Sequence, residues 1–428
     1  MKTIKLKKIA NVITGFPFKG EQYSNIGIRT VRGENVTEGK LRWDTVKCWN
    51  QKFDKQQEYL LKADDVVIGM DGSKVGKNKA QIKEKDLPLL LAQRVACVRS
   101  LNGNDQVFLY YLINNPKFEG YVFRTQTGSS VPHISKAQIE DFEVPQIEVL
   151  IQQKIAKILF DLDAKIELNN RINSELEVMG KTLYDYWFVQ FDFPDANQKP
   201  YKSTGGKMVL NEGLKREIPQ GWGVSELGNI LNTDLGGTPS TKNEKFWGGN
   251  IPWLNSGEIA NFPIVESEAH ITTEAISNSA ATLMPAGTCV LSITRHLRPS
   301  ILAIDACANQ SVVGIFESGK FKSSFIYPYL INEIPRLMTL RSGAQQPHIN
   351  KGTVDESLMI EPSQPILDRY YKKANPIYKQ IINNSFQNQE LASLRDWLLP
   401  MLMNGQVRVG EVAEELGMVA EESARYKK

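Results

Sequence analysis

The chain has 428 residues, 41% of them hydrophobic, enough to bury a sizeable core and to form two or three domains. No run of about 18 apolar residues and no apolar export segment is evident, so membrane spans and secretion are not expected and the cytoplasm is the expected location. The net charge of +3 is too small to announce a nucleic-acid protein by itself, which shifts attention to how charge is distributed.

The first 42 residues are locally basic, with Lys2, Lys5, Lys7, Lys8, Lys19, Arg29, Arg32, Lys40 and Arg42 against Glu21, Glu34 and Glu38. Short apolar runs such as Asp65-Val-Val-Ile68 and Val95-Ala-Cys-Val98, bounded by Gly, Asn and Asp turns, predict strands with helical stretches between them. Between the two runs lies Gly72-Ser-Lys-Val-Gly76-Lys77-Asn78. A nucleotide-binding phosphate loop needs four residues between its glycines and a hydroxyl after its lysine, and both requirements fail. The segment reads instead as a basic turn offering Lys74, Lys77 and Lys79 to a DNA phosphate, or as an ordinary hairpin loop.

From Ile151 the pattern changes to helix. Ile151, Ile155, Ile158, Leu162, Ile172, Leu176, Met179, Leu183 and Tyr186 fall at spacings of three and four, a heptad seam broken by Lys165 and Asn169. Polar residues buried in a seam cost stability but fix register, which is the role expected here, with a solvated kink as the alternative. The stretch Phe193-Pro194 to Gly205-Gly206 has a linker composition, and Ile218-Pro219-Gln-Gly221-Trp222 restarts the globular pattern. A second heptad seam, Tyr370, Ala374, Ile377 and Ile381, runs into Asn384 and Asn388.

The chain is written twice. Gly128-Ser-Ser-Val-Pro132-His133-Ile134-Ser-Lys136 recurs as Gly343-Ala-Gln-Gln-Pro347-His348-Ile349-Asn-Lys351, 215 residues on. Tyr111-Leu-Ile-Asn114 recurs as Tyr329-Leu-Ile-Asn332, Gln93 is echoed by Gln310, and Gly33-Glu34 aligns with Gly257-Glu258. The expected domains are therefore residues 1–145 (globule), 146–190 (helix), 191–217 (linker), 218–362 (globule), 363–405 (helix) and 406–428 (tail). The expected fold class is mixed α/β, two pseudo-symmetric globules separated by two long antiparallel helices in a coiled coil.

A search for chemistry finds none. The four cysteines form no C-x-x-C pair, so neither structural zinc nor disulfides are expected. Metalloprotease, serine-hydrolase, nuclease and Asn-Pro-Pro-aromatic methyltransferase signatures are missing, and no metal site is expected. His133 and His348 each follow a proline that stiffens the backbone, and they read as parts of a structural turn.

The duplicated mixed globule, each copy followed by Gly-x-x-x-Pro-His-Ile-x-Lys and a long heptad helix, resembles the specificity subunit of type I restriction-modification systems over about residues 1 to 405. The resemblance implies that each globule reads one half of a split, asymmetric double-stranded DNA target and that the helices set the distance between halves. It further implies two methyltransferase subunits using S-adenosylmethionine to methylate adenine N6, and restriction subunits using ATP and Mg, with no catalytic site or cofactor in this chain. Candidate DNA contacts are then Lys5, Lys7, Lys8, Lys74, Lys77 and Lys79 in the first copy, and Arg295, Arg298, Lys320 and Lys322, with His296, in the second. Gly128, Pro132, His133, Gly343, Pro347 and His348 are expected to be scaffold. A bivalent DNA-binding regulator without enzyme partners, or a coiled-coil protein scaffold, would share the same outline.

Overall fold

A computed structural model describes residues 2–53, 56–128, 130–343, 345 and 347–406, so nearly all of the expected tail lies outside the described residues. The chain divides into two units, one running to Ala164 and resuming at Ala392, the other spanning Lys165–Leu391.

In the first unit, strand Thr3–Lys5 pairs antiparallel with Glu143–Pro145, closing the globule at the point where the long helix begins. A four-stranded antiparallel sheet orders Ala10–Thr14, Val95–Ser100, Val66–Gly69 and Lys79–Gln81. Beside it, Ile28–Val31 pairs antiparallel with Cys48–Trp49 and parallel with Leu89–Leu91. The run Val66–Gly69 is apolar throughout because both its faces are covered, and all four residues are buried. At its foot the buried Asp65 accepts two 2.7 Å bonds from the Arg99 guanidinium, which satisfies a carboxylate that would otherwise be costly to bury. Short helices start where their caps dictate: Asp105 accepts from the Phe108 amide, Asn115 precedes Pro116, and Ser135 forms a capping box with Gln138.

The second unit repeats the plan. Gly223–Glu226 pairs with Leu358–Glu361, as Thr3–Lys5 does with Glu143–Pro145. A four-stranded sheet orders Thr233–Leu235, Val312–Ile315, Cys289–Ser292 and Arg298–Ile301, and a three-stranded one orders Ala269–Ile271, Trp247–Leu254 and Cys307–Ala308. Strand order and pairing sense match the first unit throughout. The stretch 191–217, expected as a linker, is packed instead. Phe193 stacks between Tyr201 and Trp222 at 4.7 and 5.0 Å, and strand Met208–Asn211 pairs with Arg216–Pro219. Polar composition concealed the aromatic anchors Phe191, Phe193 and Tyr201 that carry the burial.

The long helices are Val149–Tyr184, continued by a π-helical turn Asp185–Val189, and Gln364–Met403. Within the second unit they pair antiparallel. The buried Asn169 donates to Asn388 Oδ1 at 2.9 Å and to Gln387 Oε1 at 2.8 Å, while the buried Asn384 donates to Asn173 Oδ1 at 2.8 Å. Asn169 and Asn384 are 215 residues apart, as are Asn173 and Asn388, so the two bonds are copies of one another. Farther along, Gly180 lets the Tyr378 ring approach to about 3 Å of where a Cβ would stand. In the first unit Asp163 and Arg395 join the same two helices at 2.6 Å.

The expected seam is corrected at Ile151, Lys165, Met179 and Tyr186, all exposed. Lys165 is exposed, because the seam runs one residue later, through Leu159, Ile166, Asn173, Gly180 and Trp187, a heptad in a different phase. For the same reason Met179 and Tyr186 are exposed while Tyr184 and Trp187 are buried. Asn169, Asn384 and Asn388 do meet at the seam, joined by Asn173, which periodicity alone did not single out.

Removing the buried Asn169 amide takes the donor from the half-buried Asn388 and opens a gap in the seam. Asn169→Ala is therefore expected to lower unfolding free energy by about 1–3 kcal/mol in denaturant titration, and Asn169→Leu with Asn388→Leu to recover much of it. An unchanged Asn169→Ala midpoint would mean the amides hold nothing.

Candidate nucleic-acid interface

In the first unit the carboxyl ends of strands Ala10–Thr14, Ile28–Val31, Val66–Gly69 and Leu89–Leu91 and the amino end of Val95–Ser100 come together. The segment carrying Pro132 and His133 is laced onto this end by backbone bonds: Thr127 and His133 exchange both amide bonds at 2.9 and 2.8 Å, Ile134 donates to Met70, and Gly72 donates to Pro132. Met70 in turn donates to the Arg94 carbonyl at 2.9 Å. The second unit repeats every bond: Ser342 with His348, Ile349 to Ile293, Arg295 to Pro347, and Ile293 to Ser311. Gly128 and Gly343 turn the chain with φ of +92° and +96°, and a Cβ at Gly128 would stand 2.4 Å from the Val131 carbonyl, so the turn requires glycine.

Gly128, Pro132, His133, Gly343, Pro347 and His348 are thus set in a repeated backbone frame. His133 is exposed, its Nε2 2.9 Å from the Thr127 hydroxyl. The same bonds correct the alignment of Gly33-Glu34 with Gly257-Glu258. Val31 pairs with Leu91 as Leu254 pairs with Ala308, so Arg32 corresponds to Asn255 and Asn35 to Glu258. The roles agree: the Asn35 side chain accepts from the Arg32 amide and the Glu258 carboxylate accepts from the Asn255 amide.

Side chains on the frame differ between copies. The first carries Asp71 and Arg94, ion-paired at 2.7 Å, where the second carries Thr294 and Ser311. Gln93 and Gln310 are shared. A cleft of about 540 Å3 lies between Thr14, Asp71, Arg94 and His133, and one of about 370 Å3 between Arg32, Glu34, Asp71 and Gln93. Next to the frame, nine residues (70–78) join two strands in the first unit and five (293–297) do so in the second. Arg295 adopts φ +57° where the first copy has Gly72, a left-handed backbone that costs a non-glycine residue of order 1 kcal/mol or more. Arg94 does the same at φ +67°. Sequence reading missed Asp71, Arg94, Thr294 and Ser311. Only Arg94 and Ser311 carried a signal, each following the shared glutamine, Gln93 or Gln310, and differing between copies; Asp71 and Thr294 adjoin no repeated residue.

Most of the expected phosphate contacts have partners within the chain. Lys5 and Lys7 both reach Asp141, at 3.1 and 2.9 Å, and the hydrogen bonds from Lys7 and Lys5 hold that carboxyl below its usual range. Lys74 pairs with Glu38, and Lys320 with Glu361. Lys322 lies 3.9 Å from Glu317. These half-exposed pairs are weak. Lys79 is corrected: only 1% of its side chain is exposed, it bonds Glu119 at 2.7 Å, and burial lowers its pKa against the pull of that carboxylate. It sits in the strand Lys79–Gln81 facing Phe118, so it holds the globule together and is not available to DNA. Lys8, Lys77 and Arg298 are exposed and form no ion pair among the described residues. Arg295 is exposed in the five-residue turn, its carbonyl accepting from Arg341.

Among the described residues no group of three or more His, Cys, Asp or Glu is placed to hold a metal, and no helix is long and apolar enough to cross a membrane. The four cysteines are buried free thiols; burial pushes Cys307 to about 11 and Cys97 and Cys289 well up. Cys97, Cys289 and Cys307 are poor nucleophiles for that reason.

The model of the type I restriction modification DNA specificity domain matches residues 1–178 and again 219–384. The chain is 27% identical over 330 residues to the type I restriction enzyme MjaIX specificity subunit of Methanocaldococcus jannaschii, covering 76% of this chain and 74% of that one. It is 24% identical over 355 residues to the HindI specificity subunit of Haemophilus influenzae, covering 70% and 77%. In fold it is similar to the crystal structure of a type I restriction-modification S subunit from M. genitalium, with a TM-score of 0.54 at 13% identity over 94% and 95% of the two chains. With both family matches falling on the two repeated units, the chain belongs to the DNA specificity subunits of type I restriction-modification systems.

Proposed function

We propose that the two globules, residues 1–145 and 218–362, each read one half of a split, asymmetric double-stranded DNA target, and that the long helices set the spacing between the halves. The observation that carries this reading is one backbone frame bearing different side chains, Asp71 and Arg94 in one copy and Thr294 and Ser311 in the other. A shared frame presents DNA at the same angle, while unlike side chains ask for unlike bases. Gly128, Pro132, His133 and their counterparts Gly343, Pro347 and His348 act as scaffold. Lys8, Lys77 and Arg298 supply phosphate contacts, joined by Arg295 and, once released from their carboxylates, by Lys5, Lys7, Lys74, Lys320 and Lys322.

The chain performs no chemistry in this reading and holds no cofactor. It is a platform, in the cytoplasm, for two methyltransferase subunits that bring S-adenosylmethionine and methylate adenine N6. Restriction subunits bring ATP and Mg. Mapping N6-methyladenine in cells with and without the chain tests the reading. Loss of methylation at one bipartite, non-palindromic motif is expected on deletion, and an unchanged methylome would refute it.

The spacing role rests on the antiparallel seam, with Asn169–Asn388 and Asp163–Arg395 as successive facing pairs. One heptad inserted after Lys165 and one after Leu391, between those pairs, keeps every seam contact and lengthens the helices by about 10 Å. The unread gap in the methylated motif should then grow by about three base pairs, although the added turn of roughly 100° will reduce activity. Both half-sites at their original spacing with normal occupancy would show that the helices do not set the gap.

A further inference from the structure

The face of the first globule holds one exposed cation prepared for more than a phosphate. Arg94 stands at the amino end of strand Val95–Ser100 with a left-handed backbone fixed by the Met70 amide. Its Nη1 donates to Asp71 Oδ2 at 2.7 Å, yet 73% of the side chain remains exposed while Asp71 is only 21% exposed. A surface arginine of that exposure ordinarily samples many rotamers; the half-buried carboxylate selects one and leaves the Nε and Nη2 edge toward solvent. Gly33 lets the arrangement form, since a Cβ there would press within 3.2 Å of Asp71 Oδ1. Gln93 and the Arg32–Glu34 pair border the same cleft.

We propose that Arg94, oriented by Asp71, reads a guanine in the half-site of the first globule and fixes one G·C pair of the target. The proposal rests on the first globule being a DNA reader. The two parallel N–H donors of a guanidinium match the adjacent N7 and O6 acceptors that guanine alone presents in the major groove. A phosphate contact needs no orienting carboxylate, and a negative charge beside the arginine would weaken it. At the matching positions the second globule has Ser311 and Thr294, which remove both the fork and its holder, so the second half-site lacks this determinant.

The test uses the full chain with its methyltransferase partners, carrying Arg94→Ala, Arg94→Gln or Asp71→Asn, and reads the methylated motif genome-wide. Arg94→Ala should make one G·C position of one half-site degenerate, reducing discrimination there by roughly five- to a hundredfold, with the other half-site unchanged. Arg94→Gln should shift that position toward adenine, whose N6 and N7 suit an amide, and Asp71→Asn should loosen it partially. The unchanged half-site also reports that the protein is folded; if Arg94→Ala abolished both, Arg94→Gln, which keeps a polar side chain at the site, decides. A motif that keeps every base requirement in both Arg94 variants overturns the proposal. So does a uniform loss of affinity for all sequences with a salt slope smaller by about one, the signature of a phosphate contact. Failure of the wild-type complex to methylate any bipartite motif would instead remove the reading of the globule as a DNA reader, and this proposal with it.

Discussion

Everything on the proposed DNA face hangs on a short set of backbone hydrogen bonds. The pair of bonds between Thr127 and His133, the bond from Ile134 to Met70 and the bond from Met70 to Arg94 tie the Pro-His turn across two strand ends, and the second unit repeats them with Ser342, His348, Ile349, Ile293 and Ser311. Backbone bonds are indifferent to side chains, so the turn holds the strand ends in place while the residues between them vary. The one demand on sequence is a glycine at Gly128 and Gly343 and a proline that stiffens the approach to each histidine. A protein family that must change what it reads without changing how it folds needs this separation of frame from reader.

That separation also decides what was legible in the sequence. The frame was legible because it is written twice in the same residues, and the helices were legible because burial on one face forces a heptad. The readers were not, since Asp71 and Arg94 resemble any surface pair until strand pairing places them beside Thr14 and His133. Charge counting misjudged Lys79: Lys74 and Lys77 lie exposed in the connection 70–78, while Lys79 opens the strand Lys79–Gln81, which is buried along its whole length. A one-residue error in heptad phase put exposed Lys165 in the seam, and a one-residue error in repeat register matched Glu34 with Glu258 when Asn35 does its work. Both errors are smaller than pattern reading can detect, because a gap of one residue is invisible without the hydrogen bonds.

The polar centre of the helix pair follows the same economy. Asparagines at positions related by the repeat bond each other across the second unit's helices, so one substitution inherited twice supplies both halves of the network. Away from that centre the copies diverge: Asp163 meets Arg395 where the matching positions, Tyr378 and Gly180, pack a ring over a glycine. Amides fix register by hydrogen-bond geometry, and the flanking pairs are unlike enough to distinguish one end of the seam from the other.

The central claim is that the two globules read DNA independently on a common frame. Exchanging residues 1–145 for the corresponding segment of a specificity subunit with another target, then sequencing the methylome, addresses it most directly. The account predicts a hybrid motif in which one half changes to that of the donor while the other half and the gap stay as they were; a motif altered in both halves would contradict it.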